Sequence, residues 1–168
     1  MNDFIEHAQF YAKYHQKKET LLTHCIGIPL VLFSLLVLLG FVEINIPGIV
    51  SINMAWIGML AALVYYFRMQ WELALILTPV LFVLTWLSRW FGYPNAFGVW
   101  TFIICFAVGW AFQLYGHHLE KNRPALLDNF KQALIAPLFL VAELMFMAGF
   151  MKDLHAKIHN TYGSSDVV

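Results

Sequence analysis

Four histidines fall into two short clusters with the composition of a metal site. The first runs Tyr14-His15 and, nine residues on, His24-Cys25-Ile26-Gly27-Ile28-Pro29; the second is Gln113-Leu114-Tyr115-Gly116-His117-His118-Leu119-Glu120, followed by Lys121, Arg123 and Pro124. Several imidazoles with one carboxylate suit Fe(II), Zn(II) or Mn(II), and open positions on such a site favour oxygen chemistry at iron. His117 and Glu120 are three apart, so on a continuing helix they share a face, while His118 points about 100° away. His15 and His24 would stand on opposite sides of one straight helix. A shared site therefore needs a break between them, which the polar run Lys17 to Thr20 could supply. The spacing also suits a plainer account, with interfacial histidines keeping polar tips in water and His117-His118 capping the negative end of a helix.

The elements that must position these residues are membrane helices. The chain has 168 residues, 61% hydrophobic and 12% charged, against roughly 45–50% and about 25% in soluble domains. About 20 apolar residues cross a bilayer core as a helix. Spans are expected over residues 25–42, 49–67, 73–91 and 96–115, with a fifth apolar run at 134–151 that either crosses fully or enters and leaves on one side. Pro47-Gly48, the polar stretch Arg68 to Glu72 and Gly92-Tyr93-Pro94-Asn95 read as the links. Pro29 and Pro137 read as first-turn prolines. Phe4, Ala8, Tyr11 and Leu22 among polar neighbours predict a short amphipathic helix along the interface before the first span. The fold class expected is an all-α polytopic helical bundle, a single membrane domain over 1–168 with four to five transmembrane helices plus that N-terminal helix.

Sidedness brings the clusters together. Lys13, Lys17, Lys18, Arg68, Lys121, Arg123 and Lys131 fall on one side of an even number of spans, leaving Arg89 on the other. The positive-inside rule makes the shared side cytoplasmic. His15, His24, His117 and His118 then share that face and can meet. With ten basic and ten acidic residues, nothing favours nucleic acid. Cys25 and Cys105 read as free packing residues, and the N-terminus lacks the pattern of a cleaved signal.

The remaining polar residues carry weaker signals. His7, His155 and His159 read as solvated tails. Glu143 inside an apolar run either pairs with a cation or lines a cavity or acyl tunnel. Lys121 and Arg123 suit lipid headgroups or, beside a metal, a substrate carboxylate. The tryptophans and Tyr93 read as belt or packing residues.

Together the motifs Tyr14-His15, His24-x-x-Gly27-x-Pro29, Gln113-x-x-Gly116-His117, Glu120 and Pro124-Ala125-Leu126 resemble the small membrane 2-hydroxy-fatty-acid dioxygenases of fatty-acid α-oxidation. That family includes a fungal phytosphingosine-degradation enzyme and bacterial relatives, and the likeness runs from about Tyr11 to about Glu143. The resemblance implies an Fe(II) enzyme that uses dioxygen to shorten 2-hydroxy fatty acids by one carbon. It implies catalytic metal ligands at His15, His24 and His117, with His118 and Glu120 as further ligands or orienters. Lys121, Arg123 and Glu143 are then the substrate-binding candidates, with the alkyl tail lying between spans among membrane lipids. A bacterial inner membrane is the expected location, or the endoplasmic reticulum in a eukaryote. Two other classes stay open: a non-catalytic lipid-binding or structural bundle, in which no metal copurifies, and a di-iron hydroxylase or desaturase. The latter needs about eight histidines in HxxxH and HxxHH-like sets, and this chain has seven and neither pattern. A transporter ranks lower still, for want of broken repeats.

Overall fold

Two long apolar helices, α2 (Lys18–Gly40) and α5 (Ala96–Glu120), pack against each other along much of their length and form the spine of the fold. The computed structural model describes residues 2–12, 17–48, 50–121 and 131–159. Close packing of α2 on α5 needs small residues at the crossing. A Cβ built on Gly27 would stand 2.7 Å from the carbonyl oxygen of Gly109, and one on Gly109 3.0 Å from that of Gly27. Apolar helices in lipid gain their attraction from such close backbone approach, because lipid is as apolar as Leu. At the far end Gly40 meets Gly92 in the same way.

The other described helices are α1 (Asn2–Ala12), α3 (Met54–Met69), α4 (Trp71–Phe91), α6 (Lys131–Met147) and α7 (Lys152–His159). The described residues are all-α apart from one small hairpin. Among the described residues three helices, within α2, α4 and α5, are long and apolar enough to cross a membrane, or four if the bent pair at 132–147 and 152–159 counts as one span, where four to five were expected. The 25 residues of α5 extend roughly 37 Å at 1.5 Å per residue, beyond a hydrocarbon core of about 30 Å. Trp86, Trp90, Trp100 and Ile104 are exposed on the outer faces of α4 and α5, as lipid-facing residues are.

Several sequence expectations change here. The second span does not start at residue 49. Glu43–Ile46 (β1) and Val50–Asn53 (β2) pair antiparallel, with Ile44 opposite Ile52 and Ile46 opposite Val50. Alternating β-branched residues around Pro47-Gly48 favour this hairpin, and Gly48 takes φ +77. Helix α3 starts only after Asn53, whose side chain accepts from the Ala55 N–H and donates to the Gly40 carbonyl. Its 16 residues rise about 24 Å, short of a full hydrocarbon core. The fifth run stops at Met147. The Phe150 N–H reaches the Met145 carbonyl across Gly149 at φ +83, a glycine-terminated helix end. Helices α6 and α7 then meet at 117°. Pro29, Pro79 and Pro137 all lie inside helices, where neighbouring helices compensate for the lost bond. The short α1 does not simply lie along a surface. Phe4 and Ala8 are fully buried, and the Tyr11 ring packs against that of Phe139, centroids 4.6 Å apart and planes at 48°. Leu154 and Ile158 of α7 are buried too; His155 is exposed, while His159 is half-buried against Glu143 rather than in a solvated tail.

Candidate active site

The antiparallel packing of α2 and α5 sets the level at which the two clusters meet. Gly116 lies against the start of α2, and a Cβ there would collide with the Thr23 hydroxyl and stand 3.3 Å from His24 Cε1. The Thr20 hydroxyl donates to the Gly116 carbonyl at 3.1 Å. These contacts bring His24 and His117 together, both buried, with ring centroids 5.0 Å apart and planes at 88°. The expected meeting of the clusters holds for this pair. A methyl group at 116 has nowhere to go. Gly116→Ala is expected to cost about 1–3 kcal/mol of stability by overpacking and to displace His24, read as a lower Tm in detergent together with reduced metal content.

The local chemistry prepares His24 as a ligand. Its Nδ1 lies 2.8 Å from the Thr20 carbonyl, which can only accept, so Nδ1 carries the proton. In the neutral ring Nε2 is then a lone-pair donor, the form in which imidazole binds metals while its other nitrogen donates to a backbone carbonyl. Two perpendicular imidazoles, one of them oriented in this way, fit a transition-metal ion. Among the described residues no three His, Cys, Asp or Glu side chains converge to hold one, and His15 lies outside those residues. Glu120 accepts from the Lys17 N–H at 2.8 Å, and Lys17 Nζ donates to the Leu119 carbonyl at 2.6 Å. The end of α5 is thus tied to the chain just before α2. His118 is exposed, apart from the pair. Lys121, at φ 56, caps α5 and is exposed; Arg123 lies outside the described residues.

Two cavities adjoin the pair and share Tyr11, Ile28 and Ala136 in their walls. The smaller, about 160 Å³, is lined by His24, Lys17, Phe139 and Glu143. The larger, about 320 Å³, has His117, Gln113, Gln132 and Tyr66 in its wall and continues along Val31, Leu32 and Leu35 of α2 and Trp110 and Phe106 of α5. Glu143 lines the smaller cavity and lies 2.9 Å from His159 Nε2. Burial, with the Glu120 charge nearby, pushes the Tyr11 hydroxyl above the usual phenol range, so it stays a neutral donor or acceptor.

Sequence reasoning missed Lys17, Tyr11 and Gln132 as site residues. Lys17 served as a sidedness marker and as the start of the expected helix break, and Tyr11 as an apolar position. Tyr11 precedes His15 by four residues, a helical spacing that could have drawn attention to it. Gln132 carried no signal.

The family model described as 2-hydroxy-palmitic acid dioxygenase Mpo1-like matches residues 1–148. The 2-hydroxy-palmitic acid dioxygenase MPO1 of Saccharomyces cerevisiae is 32% identical over 158 residues, covering 90% of this chain and 84% of that protein. No solved structure matches.

Proposed function

Since the chain belongs to the 2-hydroxy-palmitic acid dioxygenase Mpo1-like family, we propose that it is an Fe(II)-dependent membrane dioxygenase that shortens 2-hydroxy fatty acids by one carbon at the cytoplasmic face. The observation that carries this reading is the buried pair His24 and His117 beside an apolar cavity that runs along α2 and α5. An acyl tail finds apolar walls there, and its polar head finds imidazoles.

His24 and His117 would hold the iron, with His15 as third ligand and Glu120 near the site. When bound, iron would supply a place for dioxygen and for chelation of the 2-hydroxycarboxylate. The protein's own residues do the rest. The Thr20 carbonyl keeps the His24 proton on Nδ1. Lys17, in the wall of the smaller cavity, offsets substrate carboxylate charge, a role open also to Lys121 and Arg123. The apolar lining excludes water from the tail. Atoms balance without a separate reductant: the C1–C2 bond of the 2-hydroxy acid breaks, dioxygen accepts four electrons, and the products are the shortened acid, carbon dioxide and water.

The test is purified protein in detergent, reconstituted anaerobically with Fe(II) and given 2-hydroxypalmitate labelled at C1 under dioxygen. Pentadecanoic acid and labelled carbon dioxide are expected in equal amounts, with one dioxygen consumed per turnover. Tight binding of the acid without dioxygen uptake would leave the lipid-binding bundle as the better account.

A further inference from the structure

Tyr11 stands where the two cavities adjoin. It lies in the walls of both, together with Ile28 and Ala136, and of these three it alone carries a polar side-chain atom. The smaller cavity has His24 and Lys17 in its wall, whereas the larger has His117 and then continues along apolar residues of α2 and α5. A molecule whose tail lies along α2 and α5 and whose carboxylate reaches Lys17 therefore passes Tyr11 with its head. The ring is held in place, being 5% exposed and packed on Phe139 with centroids 4.6 Å apart. A group already fixed by packing loses little further freedom when it bonds a ligand.

The chemistry of the hydroxyl selects its partner. Burial and the charge of Glu120 keep the proton on it, so it can donate. An ionised carboxylate only accepts, and it is the part of a 2-hydroxy fatty acid that most needs donors once it leaves water. Lys17 can offset its charge, but an ammonium on a flexible stem sets no direction. We propose that the Tyr11 hydroxyl donates a hydrogen bond to the carboxylate of the 2-hydroxy fatty acid and so fixes the head of the substrate at the junction of the two cavities, beside His24 and His117. The inference rests on the fatty-acid reading of the larger cavity. A carboxylate has two oxygens and about four lone-pair sites, so a bond from Tyr11 competes neither with Lys17 nor with chelation.

The experiment is equilibrium binding under anaerobic conditions to the intact protein, wild type beside Tyr11→Phe, which removes the hydroxyl and keeps the ring on Phe139. Two probes are compared on the same preparation: 2-hydroxypalmitate, and pentadecan-1-ol, which keeps the hydroxyl and the whole tail but lacks the carboxylate. Tyr11→Phe is expected to bind the acid about tenfold to a hundredfold more weakly, the scale of one hydrogen bond to a charged group, and the alcohol within about twofold of the wild type. Iron per chain and Tm are expected to stay at wild-type values. Equal weakening of acid and alcohol would show that the hydroxyl serves the packing, and unchanged binding of the acid would show that the head lies elsewhere; either overturns the proposal. A drop in acid binding that appears only together with loss of iron would assign the hydroxyl to the histidines rather than to the substrate, and overturns it too. Because binding is read without turnover, the expected selectivity in a wild type that consumes no dioxygen would defeat the dioxygenase reading and leave this one standing. Turnover by the wild type with unchanged acid binding in Tyr11→Phe would do the reverse.

Discussion

His24→Ala and His117→Ala are each expected to reduce turnover of 2-hydroxypalmitate to background and to remove iron from the purified protein, while the helices stay folded. Both rings are buried and lie 5.0 Å apart, so neither can be replaced by water reaching the same point without losing its geometry. Truncating a buried side chain of this size costs roughly 2–5 kcal/mol through the cavity left behind, enough to lower Tm without dismantling helices as long as α2 and α5. Helical circular dichroism separates the two effects. The decisive readout is iron per chain by mass spectrometry on protein prepared anaerobically. Loss in both variants would join α2 and α5 in one centre; iron retained in either would remove that histidine from the ligand set, and retention in both would end the reading of this pair as a metal site. His118→Ala serves as the internal control. Its side chain is exposed one position further round α5, and it is expected to keep most of its iron.

How far this site was legible depended on which physical signal fixed each residue. Long apolar runs and the distribution of Lys and Arg sufficed to bring His24 and His117 to one face, because α2 and α5 are separated by an even number of helices in the expected topology. The residues that complete the surroundings arrive through short-range geometry that periodicity does not encode. Hydropathy extends through Val50 and Ile52, so the second span was drawn too early; the period-two pattern opposite Ile44 and Ile46 around Pro47-Gly48 was the competing signal, and strand pairing won. Glycine at 149 ends α6 within an apolar stretch and turns α7 back at 117°, which places His159 on Glu143. Burial of α1 depends on Phe4 and Ala8 finding a tertiary surface. An amphipathic pattern alone does not say whether the apolar face meets lipid or protein. Gln132 is a lone polar residue at a helix start, unremarkable until its neighbours are known.

Leu35→Trp is expected to change which chain lengths are accepted rather than whether the chemistry occurs. Leu35 and Phe106 mark the stretch of the larger cavity furthest along the helices from the histidine pair. Eleven residues of α2 separate His24 from Leu35, roughly 16 Å at 1.5 Å per residue, a length that accommodates much of a long acyl tail. An indole at position 35 would fill that end. Displacing about three tail methylenes, each contributing about 0.8 kcal/mol on burial, forfeits roughly 2.4 kcal/mol, or about fiftyfold in kcat/KM. The loss is expected for 2-hydroxypalmitate, while a short substrate such as 2-hydroxyoctanoate, whose tail ends before Leu35, keeps near wild-type kcat/KM. The substitution is apolar for apolar at a position 41% exposed, so the bundle tolerates it. Iron content should not move, because the altered side chain lies far from both histidines. Equal losses for long and short substrates would mean that the tail follows another route, with the smaller cavity bounded by Phe139 and Leu140 the next wall to block. Selective loss of the long substrate at constant iron would tie the apolar cavity to the tail and the histidine end to the head, giving the reaction a direction within the membrane.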